Sequence, residues 1–298
     1  MVTARGPLIE LRTPTARLGL LPELGGALAY YDIRRADDWQ PVLRPMLQHS
    51  ADPFDAAMIV LAPWSNRISG GGFHHAGRFH VLSPNLAGQP HPIHGNAFQS
   101  AWQIKKQSDT AIDLSLRSKG PGPFDYVAAL RYQLTGSSLD VSLSLTHCGL
   151  YPLPYGAGFH PWFPRRAATT LTAPVKGVWL ETPDHLPAGH LSIAARVDWD
   201  FSMPRALPPD WINNCFSGWP GRARIDWPDR HLSCDISASH GLPFYLLYSP
   251  DGAADFFCFE PVSHPVDAHQ QVDGGDLHLL SRDETLTVGL TFTPVITR

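Results

Sequence analysis

The chain has 298 residues, 43% of them hydrophobic, and carries a formal net charge of −4 with a pI near 6.4. That length supports a large core, and big all-β sandwiches reach it as one domain. Lys+Arg (23) and Asp+Glu (27) nearly balance, so no basic stripe argues for nucleic acid or anionic lipid, and a small neutral partner fits better than a polyanion.

In chain order, the first residues, Met1 to Leu8, contain no apolar stretch of signal-peptide length. No later segment approaches the roughly 20 apolar residues of a membrane span. Gly70, Gly71 and Gly72 lack the strand-before, helix-after setting of a dinucleotide loop. Ile112, Leu114 and Leu116 alternate with Asp113, Ser115 and Arg117, as in a strand with one wet face. Residues 130–134 and 139–146 continue that pattern across Thr135, Gly136, Ser137 and Ser138, which predicts a hairpin. The proline-rich residues 182–210 read as a long loop packed onto the body through Trp199 and Phe201, with Trp211 beyond them. Leu286 to Phe292 alternate again and predict a closing strand. Proline (29) and glycine (25) are spread over the whole length, which leaves little room for long helices. The expectation is an all-β chain, residues 1–298 forming one large antiparallel domain with few short helices. Cys148, Cys215, Cys234 and Cys258 are widely separated and read as reduced thiols in a cytoplasmic protein.

Two ionisable residues stand in apolar frames a hundred positions apart: His160 among Phe159, Trp162 and Phe163, and Glu260 after Phe256, Phe257 and Phe259. Side chains so flanked are desolvated, and desolvation shifts pKa. A shifted histidine and glutamate together suit proton shuttling. On an extended strand Phe256, Cys258 and Glu260 share one face while Phe257 and Phe259 share the other. Pro161 biases His160 toward extended backbone. Fifteen histidines invite a metal reading, but the pairs His91/His94 and His74/His75, and His264 with His269, lack the spacing of a strong site, so no metal is expected.

Four segments, in order, resemble the aldose 1-epimerases, also called galactose mutarotases. They are Trp64-Ser65-Asn66-Arg67-Ile68, His94-Gly95-Asn96-Ala97-Phe98 with Trp102, Gly158-Phe159-His160-Pro161-Trp162-Phe163, and Cys258-Phe259-Glu260-Pro261. The resemblance implies a large antiparallel β-sandwich whose partner is a free monosaccharide. It also implies interconversion of α and β anomers without a cofactor, by a monomer or homodimer. Glu260 is implied as the general base at the sugar's O1 hydroxyl and His160 as the general acid at the ring oxygen. Arg67, His94, Asn66 and Trp162 are the implied sugar-binding residues. Arg67 also suits a loop-holding salt bridge, His94 a turn-capping hydrogen bond, and Trp64 or Trp162 plain packing. The pattern breaks at one place: many relatives carry a sugar-binding aspartate where Asn213 stands here, with Asp210 and Asn214 as fallbacks. Arg165 and Arg166 raise the alternative of a hexose 6-phosphate substrate. A non-catalytic carbohydrate-binding protein is a second alternative. Glycoside hydrolysis is a third, and it would need a second carboxyl group such as Asp255 or Asp267.

Overall fold

Alternation becomes structure most plainly in the strands Ala111–Lys119, Asp125–Thr135, Ser138–His147 and Thr285–Ile296, where every second side chain is buried over most of the length. The computed structural model describes residues 6–239 and 241–297. Within it the expected hairpin closes with Thr135 opposite Ser138. Leu114, Leu130, Leu143 and Val288 stand side by side across these four strands, as do Ile112, Tyr132, Val141 and Leu290. Such apolar rows form the inner face of a nine-stranded antiparallel sheet.

Facing it is an eleven-stranded sheet. Its middle strands, Met58–Leu61, Gly158–Pro164, Phe256–Val262 and Phe244–Ser249, are buried on both faces. One face turns Val60, Phe159, Phe163, Tyr245, Phe257 and Phe259 into the main core shared with the other sheet. The opposite face carries Ile59, Leu61, Trp162, Leu246 and Cys258 in a smaller cluster. The result is the expected β-sandwich, with six 3-10 turns as the only helical elements among the described residues.

Phe163 ties the sheets together. It is fully buried, and its ring meets Phe257 at 5.6 Å, Phe292 at 6.2 Å and Trp227 at 6.4 Å between centroids. Phe163→Ala is expected to destabilise the protein by about 3–5 kcal/mol, read from denaturant titration. A loss below about 1 kcal/mol would contradict this packing role.

Residues 182–210 depart from the expected long loop. Pro187–Ser192 pairs with Gly177–Glu181 as an edge hairpin of the eleven-stranded sheet, and Arg205–Ala206 pairs at the edge of the other. Pro187–Ser192 is exposed or half-buried throughout, so it has no apolar face to produce a period of two. Phe201 is buried as expected, whereas Trp211 remains 45% exposed.

Candidate active site

The core-averted face of the eleven-stranded sheet is the floor of a cleft of about 500 Å³. Register assembles it. Gly158 lies opposite Val262 and Trp162 opposite Cys258, and the same register sets His160 opposite Glu260. Cys258 in turn faces Tyr248, and Tyr248 faces Asn213. Because side chains alternate, His160, Trp162, Tyr248, Glu260 and Asn213 all leave the sheet on the side away from the core. The face assignment read from Phe256 to Glu260 holds.

His160 Nε2 lies 3.2 Å from Glu260 Oε1, with the two side chains only 8% and 4% exposed. The imidazole is stacked on Trp162, with centroids 3.9 Å apart, and the ring of Phe54 stands edge-on beside this stack, its centroid 6.2 Å from each. Burial pushes Glu260 well above the ordinary carboxylate range, and nearby Arg67 opposes this only in part. Burial also pushes His160 down to about 3; its own backbone works against that shift and Arg44 adds to it. Both displacements favour the uncharged forms, so the pair holds one proton over a 3.2 Å contact. Glu260 Oε2, His160 Nδ1 and Arg67 Nε are buried without a hydrogen-bond partner among the described residues.

The segment before Arg67 is a chain of locks. Ser65 N–H donates to His264 Nε2 at 3.0 Å, while His264 Nδ1 is 2.8 Å from the Pro265 carbonyl and so carries the ring proton. Trp64 Nε1 donates to the Asn66 carbonyl at 3.0 Å, and this ring is buried in the main core, the packing role expected of it. Asn66 N–H donates to His94 Nδ1 at 3.0 Å, which leaves the proton of neutral His94 on Nε2. Asn66 Oδ1 accepts from Arg67 N–H at 2.9 Å and from Nη1 at 3.3 Å, and Arg67 Nη2 donates to Gln89 at 3.1 Å. Asn66 therefore brackets Arg67, and His94 combines the turn-holding hydrogen bond with a place in the cleft wall. Burial, reinforced by His160 and Arg67, holds His94 well below the ordinary imidazole value.

All seven expected residues, His160, Glu260, Arg67, His94, Asn213, Asn66 and Trp162, line this cleft. The fallbacks do not: Asp210 is exposed, and Asn214 donates to the Trp179 carbonyl at 2.8 Å. Arg165 is engaged by Ser249 and the Pro208 carbonyl, and Arg166 by Asp229, so neither reaches the cleft. Asp255 and Asp267 lie outside it too, and Asp267 is bonded to Ser69. Sequence reasoning missed Gln89, Phe54, Arg44 and His185, all of which line the cleft, and Glu181 beside it. Arg44 caps the rings of Trp162 and Phe256 at 5.3 and 4.7 Å. These residues lie in loops, in a one-turn 3-10 segment or at a strand end, where no periodicity marks a face.

His160, Cys258 and Glu260 bring one potential ligand atom each within 4.8 Å of one another. Burial, with the Glu260 carboxylate next, holds the Cys258 thiol well above its ordinary value. A metal there would have to deprotonate that thiol and would break the His160–Glu260 contact.

The buried histidines make stability pH-dependent. Burial lowers His264 to about 4 and His269 to about 3, alongside His160 and His94. A histidine kept neutral by the fold takes up protons more readily when unfolded. Its contribution is complete above about pH 6.5 and is lost as pH falls through the window toward the folded value. Glu260, displaced upward, acts in the opposite sense but is outnumbered. The denaturation midpoint is expected to fall from about pH 7 to pH 4, less steeply in His264→Gln. A level or rising midpoint over that range would refute the neutral-histidine assignment.

The chain matches the aldose 1-epimerase family over residues 7–293. It is 36% identical over 256 residues to the uncharacterized protein YphB of Escherichia coli K12, covering 84% of this chain and 87% of that protein. Its fold superposes with a TM-score of 0.90 on a candidate aldose 1-epimerase from Escherichia coli K12 at 32% identity, covering 97% of this chain and 99% of that one. A galactose mutarotase-like protein from Clostridium acetobutylicum shares the fold, with a TM-score of 0.85 at 15% identity over 97% of this chain and 95% of that one. Sequence motifs, sandwich and cleft thus converge, and the chain belongs to the aldose 1-epimerase family.

Proposed function

We propose that the cleft binds a free aldose and interconverts its α and β anomers by general acid–base catalysis. The observation that carries this reading is the desolvated His160–Glu260 pair, 3.2 Å apart, in the floor of the cleft. In the free cleft the pair's one proton rests on Glu260; its transfer across the 3.2 Å contact to His160 when the sugar is bound leaves Glu260 as the base. Glu260 takes the O1 proton while His160 gives its proton to the ring oxygen, and the ring opens to the aldehyde. Rotation about C1–C2 presents the other carbonyl face. The reversed transfers close the opposite anomer, and the pair again holds one proton. The balance requires no redox partner and no covalent intermediate.

Arg67, with its unpartnered Nε, and His94, with its proton on Nε2, supply hydrogen-bond donors to the sugar's oxygens. Phe54 and Trp162 offer apolar surface beside them. A neutral aldose is favoured over a hexose 6-phosphate because Arg165 and Arg166 are bonded elsewhere. A mere binding module has no use for a desolvated acid–base pair, which is expensive to bury. Four unpaired cysteines fit the reducing, cytoplasmic compartment we assign.

The test is NMR exchange spectroscopy of anomer interconversion over glucose, galactose, pentoses, uronates and glucose 6-phosphate. Acceleration above the spontaneous rate on a free aldose is expected. Folded protein that accelerates none of the sugars would overturn the reading.

A further inference from the structure

Three donors converge on the carboxylate of Glu181, at the end of the strand Gly177–Glu181. Trp211 Nε1 is 2.6 Å from Oε1, while Asn213 Nδ2 and His185 Nδ1 are 2.9 and 3.0 Å from Oε2. His185 reaches this point from the turn of the edge hairpin, at a positive φ of 61°, and its ring stacks on Trp211 with centroids 5.6 Å apart. Asn213, His185 and Trp211 line the cleft, and Glu181 lies behind them.

An ionised carboxylate only accepts hydrogen bonds. Asn213 must therefore give Glu181 its amide nitrogen, since the flipped amide would press two oxygens together. This fixes the other end of the amide: Oδ1 points away from Glu181, and no hydrogen bond to it is formed among the described residues. We infer that Glu181 is a positioning residue that locks Asn213 with Oδ1 toward the cleft, as the acceptor for a ring hydroxyl of a neutral pyranose. A neutral side chain then does at the surface what one carboxylate oxygen would do, and the negative charge sits one layer back. His185, donating through Nδ1 to the same carboxylate, has Nε2 left for a second contact on that wall.

The inference rests on the sugar-binding reading, so its test includes a ligand that cannot react. Methyl α- and β-glucopyranosides and galactopyranosides keep the ring hydroxyls but cannot open. Their Kd, measured by calorimetry, is compared with kcat and KM for anomer exchange in the parent, Glu181→Gln, Asn213→Asp and the double variant. Glu181→Gln sets a donor against the Asn213 amide, and Asn213→Asp sets two carboxylates together. Each single change is expected to raise KM and Kd about tenfold, with kcat within a few-fold of the parent. The double variant exchanges the acid and amide ends and is expected to recover to within about threefold, which a merely structural role would not produce.

Asn213→Asp binding as tightly as the parent, or a double variant no better than the singles, would overturn the inference. Glycoside binding that follows the swap without any exchange by the parent would sink the mutarotase reading and keep the inference. Exchange without the swap pattern would do the reverse, and neither binding nor exchange would sink both.

Discussion

Glu260→Gln is expected to slow anomer exchange by between about 10² and 10⁴, with sugar affinity within a few-fold of the parent. Glutamine matches glutamate in shape but cannot take the O1 proton. The change also removes the group that passes its proton to His160 across the 3.2 Å contact. Acid and base therefore fail together. His160→Gln should show a loss of the same order, and the double variant little more than either single, because the two groups act as one unit. Line-shape or saturation-transfer NMR on a responsive aldose reads all three. A Glu260→Gln rate close to the parent would remove Glu260 from the role of base.

Gly95→Ala is expected to cost about 3 kcal/mol or more of stability and to weaken sugar binding as well. Gly95 has a positive φ of 67°, which strains any side-chain-bearing residue. An added Cβ would stand 1.9 Å from the Ala62 carbonyl oxygen and 2.3 Å from its carbon. Those atoms are backbone and cannot swing aside. The same oxygen accepts from the N–H groups of Asn96 and Ala97, at 3.0 and 3.2 Å, so moving it disturbs the link that seats His94 beside Asn66. Denaturant titration combined with the exchange assay tests both halves. A variant within about 1 kcal/mol of the parent would show that the segment yields easily.

The floor of the cleft was legible in the sequence because it is written in strand periodicity. His160 and Glu260 each sit between aromatics, and alternation alone puts them on the face opposite Phe159 and Phe259. What no single strand reveals is that the two strands are neighbours in a register that makes His160 and Glu260 meet. The sequence motif around His94 was legible too, while its tautomer follows only from the Asn66 N–H. The wall was hidden. Glu181 ends a strand and His185 lies in the proline-containing turn that follows it, while Gln89 and Arg44 lie in irregular segments. Asn213 reads in the sequence as a departure from the family pattern, but its amide is held by a carboxylate thirty-two positions away.

One property of the floor reaches beyond catalysis. Each strand that carries a reactive group has a phase as well as a position, because its odd and even residues serve different masters. Sliding Gly158–Pro164 by one residue against its neighbours would drive His160 into the hydrocarbon interior and Phe159 out into the cleft. Sliding it by two would restore the facing but carry the imidazole about 6–7 Å along the strand, out of reach of Glu260. No small insertion or deletion in these strands is therefore neutral, since either shift parts His160 from Glu260.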